Sequence, residues 1–578
     1  MDVALGRGKG NDGNGVPTGW PAGCADVGRL SVLAAPFPAS PSPPAGDWAS
    51  LVQWWAESVH GWAVEAWFRS GCSQADTDEH VRGRHVQLAA KAGHVGAMLK
   101  LGLCYARGSL GMGQSWECAA RWLRAAADRG DASAMFNLGL RYARGEGVEQ
   151  SWEEAVRWWQ TAAANGVASA MFKLARCYAG GQGVEQSWRE AVRWYRAGAE
   201  KGDVDCMYGL GLRLEAGEGV AKDDFAAAFW FEAAAREGHA EAMYRLGKCY
   251  DAGRGAIHSK RDAIRLFRES AAKGCANGIY ELGSVNLEGN GVPENAVEAV
   301  RLFRKAAAMG HLKAIHNLGV CYATGRGVAT DYAEANRLHR MAAEKGHTDS
   351  IFSLGVRYQN GQGVPQNAAM AARLWERAAG MGNSDAMHNL ALCYSQGLGV
   401  AKSWEQSLHW HLKGAEKGDP NSMFDAGMQL SRGQGAPQDW GKAHRWLRKA
   451  ADLGHTSAML AIGLCYELGN GVTQDPKEGV KWMRKAAEAG NSTAMHALGA
   501  AYHRGGGVPV NMKAAVHWFR LAVENGNVDA MVSLGTCYAM GMGVRRDVEE
   551  AERLLRTAHA CGNEDAMGSL MFLGVSGQ

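Results

Sequence analysis

One feature constrains this chain more than any other: from Ala97 onward it repeats itself. The repeat beginning at Ala134 reads AMFNLGLRYARGEGVEQSWEEAVRWWQTAAANGVAS. Its successors begin at Ala170, Cys206, Ala242, Gly278, Ala314, Ser350, Ala386, Ser422, Ala458, Ala494 and Ala530, each 36 residues further on. The first repeat, from Ala97, has 37 residues because its loop between Gly108 and Gly113 holds one more. A fixed period of roughly 20–50 residues marks an array of stacked units, none of which buries its own apolar face alone. A chain of 578 residues would otherwise suggest about four ordinary domains. The repeat replaces that count.

Inside one repeat the apolar residues follow helical spacing. Counting from Ala134 as position 1, Met135, Leu138, Gly139 and Tyr142 stand at positions 2, 5, 6 and 9 and predict one stripe of a first helix. Ala155, Trp158, Trp159, Ala162 and Ala163 predict the stripe of a second. Ser151 with Glu154, Ser187 with Glu190 and Ser403 with Gln406 read as capping boxes at the start of the second helix. Glycine is unusually abundant, 77 residues against 13 prolines, and most of it is punctuation. Gly145 and Gly147 make the loop, and Gly166 ends the second helix, where a positive φ is expected. Gly139 lies inside the first helix, where it gives up about 1 kcal/mol of propensity. A close approach of the paired helix accounts for it, and Ala175 and Ala391 serve in its place in two repeats. No stretch alternates as a strand does. The fold class expected is all-α, an α/α solenoid of stacked helix–turn–helix units.

The ends depart from the pattern. Residues 1–47 read as a disordered Gly/Pro-rich leader, too poor in apolar side chains to offset the entropy of ordering. Residues 48–60 suit an N-terminal capping helix, and 61–96 a degenerate repeat recognisable by Ala89, Ala90 and Gly93. Thirteen regular repeats fill 97–565, a half-repeat with Ala566, Met567 and Leu570 closes the array at 566–574, and 575–578 form a tail. The leader makes a poor secretory signal, and apolar runs fall short of the roughly 18–20 residues that span a bilayer. The expected home is cytoplasmic, with import into an organelle by the leader left open.

The pattern AMxxLGxxYxxGxGV followed by AxxWxxxAAxxG, over residues 61–574, resembles the Sel1-like repeat, a relative of the tetratricopeptide repeat. The resemblance implies a right-handed superhelix of about 13–14 repeats with first helices lining a concave groove. It also implies a non-catalytic adaptor that binds partner proteins or peptides. Cysteine-rich secreted members hydrolyse β-lactams and staple each repeat with a cysteine pair. Here those places hold Met171, Ile315 and Met387 and, on the other side, Ala163, Ala307 and Ala379. A β-lactam-type hydrolase therefore stands only as the alternative.

Columns of identical residues invite chemical readings. Cys104, Cys177, Cys249, Cys321, Cys393, Cys465 and Cys537 recur at position 8 of alternate repeats, with Arg141, Arg213, Val285, Arg357, Gln429 and Ala501 between. Helices pack about 8–10 Å apart, so such thiols stand too far apart for disulfides or a shared zinc ion. They read as small apolar filler, as do Met98, Met135, Met171 and Met207 at position 2. Trp122, Trp158, Trp194 and Trp230 at position 25 give way to Leu266, Leu302, Leu338 and Leu374, then to Trp410, Trp446, Trp482 and Trp518. That column reads as inter-repeat packing. The basic column at position 24, from Arg157 and Arg193 to Arg553, reads as a solvated face with local pairs such as Glu153 with Arg157 and Glu190 with Arg193. The histidines look scattered. His316, His388 and His496 recur at position 3, too far apart for one metal site. No nucleotide-binding, zinc-protease or serine-hydrolase motif stands in its required context, so neither metal nor cofactor is expected. Lys plus Arg (62) nearly balance Asp plus Glu (59), which disfavours nucleic acid as a partner. An RNA-reading helical repeat remains the least favoured reading.

If first helices line the groove, positions 3, 4, 7 and 11 face it. Position 4 contributes Lys100, Asn137, Lys173, Arg245, Asn317 and Asn389, and position 7 contributes Arg176 and Lys248. Lys173, Arg176, Arg245 and Lys248 predict a positive early groove suited to an acidic peptide. Ala461, Leu464, Ala497 and Ala500 turn the later groove apolar. The asparagines match, by resemblance, a tetratricopeptide position that bonds a ligand's backbone.

Overall fold

The structure, a computed structural model, describes residues 61, 63–70, 72 and 79–572. The expected leader (1–47), capping helix (48–60) and tail (575–578) lie outside the described residues, as does the end of the closing half-repeat. All regular secondary structure among the described residues is helical. The chain divides into two compact blocks, Met1–Asn165 and Gly166–Gln578. In the first, α1 (Glu79–Lys91), α2 (Val95–Arg107), α3 (Trp116–Ala127), α4 (Ala132–Arg144) and α5 (Trp152–Ala164) pack in chain order, each consecutive pair of the five in contact. The second block opens with α6 (Ala168–Gly180), α7 (Trp188–Glu200) and α8 (Val204–Ala216) and keeps the same alternation to Asp565–Phe572.

Local chemistry sets each helix–turn–helix. First helices run 13 residues and stop at a left-handed glycine, such as Gly145 at φ 70°. Ser151 then caps the second helix, its hydroxyl accepting from the Glu154 N–H at 3.2 Å. The expected capping box closes on this side only. The Ser151 N–H donates instead to the Tyr142 carbonyl at 3.0 Å, and Ser187 and Ser403 do the same to Tyr178 and Tyr394 at 2.9 Å. This bond ties the two helices of a repeat together. It leaves Glu154 to pair with Arg157 at 2.6 Å, in place of the neighbouring Glu153 expected. The first helices are capped as well, by Asp131 at 2.7 Å and by the Nδ1 atoms of His94, His239, His311 and His455. Much of the histidine scatter is therefore N-capping.

Packing corrects the predicted stripe in one respect. Positions 1, 2, 5, 6 and 8 are buried (Ala134, Met135, Leu138, Gly139, Arg141), whereas Tyr142 at position 9 is only half-buried. A first helix is covered on two sides, by its own partner and by the second helix of the preceding repeat, so its buried face is wider than a simple stripe. The position-8 cysteines are buried, and burial pushes the thiols of Cys177, Cys249 and Cys393 up to about 11. Position 26 carries the main aromatic core: Trp159, Phe231, Phe267 and Phe303 are fully buried, each worth roughly 1.5–3 kcal/mol. Gly139 lies directly under Trp159, where a Cβ would come within 2.5 Å of the indole nitrogen. That contact is the close approach expected of position 6. The neighbouring tryptophans at position 25, such as Trp194 and Trp230, are half-buried and pack against the edge of this core.

Candidate functional site

In the second block, where a helix makes a substantial contact with one two places along, it is first helix against first helix. Examples are α6 with α8, Ala240–Ala252 with Ala276–Glu288, and Ser384–Gln396 with Pro420–Arg432. The first helices therefore share one continuous face. Buried residues fix the backbone beneath it, and the half-buried side chains at positions 3, 4 and 7 form its surface.

The candidate residues differ in how they are held. Arg245 Nη1 lies 3.3 Å from Glu215 Oε2. Lys248 Nζ lies 3.4 Å from Glu281 Oε1 and 3.9 Å from Asp251 Oδ2. The positive early groove predicted from positions 4 and 7 is thus compensated at these two residues. The acids come from position 10 and from position 4 of the following repeat, which a column-by-column reading does not bring together. Lys173 Nζ and the Arg176 guanidinium both lie over the Phe172 ring, at 5.7 and 5.9 Å, and Arg176 is exposed. Asn317 interacts with the Tyr280 hydroxyl. Asn389 lines a shallow depression of about 250 Å³ with Gln359, Asn360, Trp375 and Leu392. Further along the face Leu464 and Leu468 stand exposed, at 40% and 63%. In the first block, Lys100 and Asn137 hold the equivalent half-buried places, and the Asn137 amide donates to the Ser133 carbonyl at 2.8 Å.

The basic column at position 24 is largely consumed locally. Arg193 pairs with Glu190 at 3.1 Å, and Arg301, Arg337 and Arg553 pair with Glu298, Glu334 and Glu550 at 2.6 Å. These are exposed pairs three residues apart, and they offer no free stripe of charge.

The histidines at position 3 gain a meaning that spacing alone concealed. His316 meets His339, at position 26 of its own repeat, with ring centroids 5.2 Å apart. His388 meets His411 in the same way at 5.4 Å. His339 and His411 replace the usual aromatic core residue and are fully buried; desolvation pushes each down to about 3. Around His316, Ser350 Oγ lies 3.1 Å from Nδ1 and also 3.0 Å from His347 Nδ1. Around His388 and His411 stands Asp425. The sequence signal that could have found both pairs is the coincidence of histidine at positions 3 and 26 in two repeats and in no others.

The Sel1 repeat model matches thirteen consecutive windows, beginning with 95–131 and 132–167 and ending with 528–563. No curated protein matches the chain at a significant level. Among solved structures, c5321, a protective antigen of uropathogenic Escherichia coli strains displaying an SLR fold, is 29% identical with a TM-score of 0.53, over 79% of this chain and 98% of its own. A Sel1 repeat protein from Oxalobacter formigenes is 31% identical over 55% of this chain and 92% of its own, with a TM-score of 0.44. No helix among the described residues is long and apolar enough to cross a membrane.

Proposed function

This chain belongs to the Sel1 repeat family, and on that premise we propose that it is a non-catalytic scaffold that binds partner proteins or peptides along the face of its first helices. One observation carries the reading. The residues that hold the array together repeat from unit to unit, whereas those on the shared face change: Lys173, Arg245, Asn317 and Asn389 all occupy position 4. A surface that varies over a constant frame is what recognition of a particular extended ligand requires. Lys173 and Arg176, which both lie over the Phe172 ring, suit an acidic segment of the ligand; Leu464 and Leu468 suit an apolar one. Buried thiols without partners suit a reducing compartment such as the cytoplasm.

Affinity capture with wild-type protein, followed by mass spectrometry, identifies partners. Capture must then fail with the Lys173→Glu, Arg176→Glu pair and persist with Arg193→Glu on the outer face. Binding that ignores all three changes removes this face as the site. The hydrolase alternative predicts turnover of nitrocefin, and a flat trace ends it.

A further inference from the structure

The strongest unassigned feature lies where helices Ser384–Gln396, Trp404–Glu416 and Pro420–Arg432 meet. His388 stands at position 3 of one repeat, His411 at position 26 of the same repeat, and Asp425 at position 4 of the next. One ligand atom from each lies within 4.8 Å of the other two. His388 Nδ1 is 3.6 Å, and His411 Nε2 3.9 Å, from the same carboxylate oxygen, Asp425 Oδ2. These separations exceed hydrogen-bond length, and the Nδ1 atoms of both histidines are buried without a hydrogen-bond partner.

Ordinary packing does not explain the group. Position 26 is a core position, filled elsewhere by Trp159, Phe231, Phe267, Phe303 and Phe519, all buried. His411 is 1% exposed, so its imidazole gives up hydration and receives no hydrogen bond at Nδ1 in return. The same two imidazoles occur 72 residues earlier as His316 and His339, but there Ser353 stands in place of Asp425, and His316 is engaged by Ser350. The carboxylate is what distinguishes the second pair.

We propose that His388, His411 and Asp425 form a site for a divalent transition-metal ion of the zinc class, with a fourth coordination position open toward the first-helix face. Two imidazoles and a carboxylate are a ligand set that zinc accepts. Bonds of about 2.0–2.1 Å in a tetrahedron place ligand atoms about 3.3 Å apart, so the 3.6 and 3.9 Å edges to Asp425, and a third edge of at most 4.8 Å between the histidines, close by side-chain rotation. The side chains of His388 and Asp425 are 20% and 30% exposed, which gives them that freedom and gives the ion a route in. The ion would clamp two successive repeats together, and its open position would take water or a donor from a bound partner. This goes beyond the scaffold reading and stands or falls independently of it.

The test uses the full chain without an affinity tag, stripped with chelator and titrated with zinc(II) by calorimetry. Cobalt(II) serves as the spectroscopic probe. Wild type is expected to take up one equivalent and to give the intense visible d–d bands of low-coordinate cobalt(II). His411→Phe, which installs the residue other repeats use, should abolish this uptake. Asp425→Asn should weaken it at least about tenfold, and His339→Phe should leave it unchanged. Absence of a saturable equivalent in wild type overturns the proposal. So does an affinity that Asp425→Asn leaves intact, and that variant decides the matter alone if His411→Phe proves unfolded by circular dichroism.

Discussion

The Arg141 guanidinium lies 4.7 Å from the centre of the Trp116 indole on the preceding repeat, and it is also paired with Glu146 in its own loop. Arg213 repeats the arrangement over Trp188 with Glu218, and Arg357 lies over Tyr332 beside Gln362. Position 8 thus alternates between a buried cysteine and, in three repeats, a cation clamped between an aromatic ring and a loop acceptor. What reads in sequence as a trace of duplication is a pair of distinct ways to join neighbouring repeats.

Arg141→Ala removes the cation–π contact and leaves Glu146, which is 24% exposed, with only the longer Arg144 pair at 3.8 Å. A loss of about 1–3 kcal/mol is expected, read from urea unfolding. No change in midpoint would show the clamp to be idle.

Gly147 and Gly130 both have positive φ, 73° and 92°, but only Gly147 lies against the backbone of the preceding repeat. A Cβ there would collide with the Trp116 carbonyl, whereas one on Gly130 meets nothing within 4 Å. Gly130→Ala should cost about 1–2 kcal/mol for the left-handed backbone alone, and Gly147→Ala about 3 kcal/mol or more. Equal costs in thermal unfolding would mean that the close approach does not matter.

The half-closed capping box makes a separate claim. Ser151→Ala should cost about 1 kcal/mol, because the Glu154 N–H loses its acceptor. Glu154→Ala should cost below about 0.5 kcal/mol, because its carboxylate pairs with the exposed Arg157. The two changes are compared by helicity and by unfolding midpoint, and a larger loss for Glu154→Ala would restore the reciprocal box.

His339 ties stability to pH. Desolvation is the main cause that pushes its pKa down to about 3, with His316, Arg357 and His347 adding repulsion. The unfolded chain takes up this proton near pH 6.5, whereas the folded chain resists it until about 3. The unfolded state therefore binds more protons throughout that window, and folding loses stability as pH falls through it, by up to about 1.4 kcal/mol per pH unit. His339→Phe, a residue found at position 26 of other repeats, removes this term. Relative to wild type, the variant should gain stability between pH 6.5 and pH 5 in chemical denaturation. A constant offset at the two pH values would contradict the assignment.

The sequence by itself determined the repeating frame. Helix spans, left-handed glycines, serine caps and the small residue at position 6 follow from interactions between residues a few places apart, so periodicity exposes them directly. The Sel1-type architecture and the burial of the cysteine column were legible for the same reason. Only the tertiary structure decided which charged and polar side chains meet: Arg245 with Glu215, Lys248 with Glu281, Arg141 with Trp116, and His388 with His411 and Asp425. These partners come from different helices, often of adjacent repeats, 14 or more residues apart in the chain. Their encounters depend on how one unit docks on the next, and a column read down the repeats holds each residue beside its equivalents, not beside its neighbours in space.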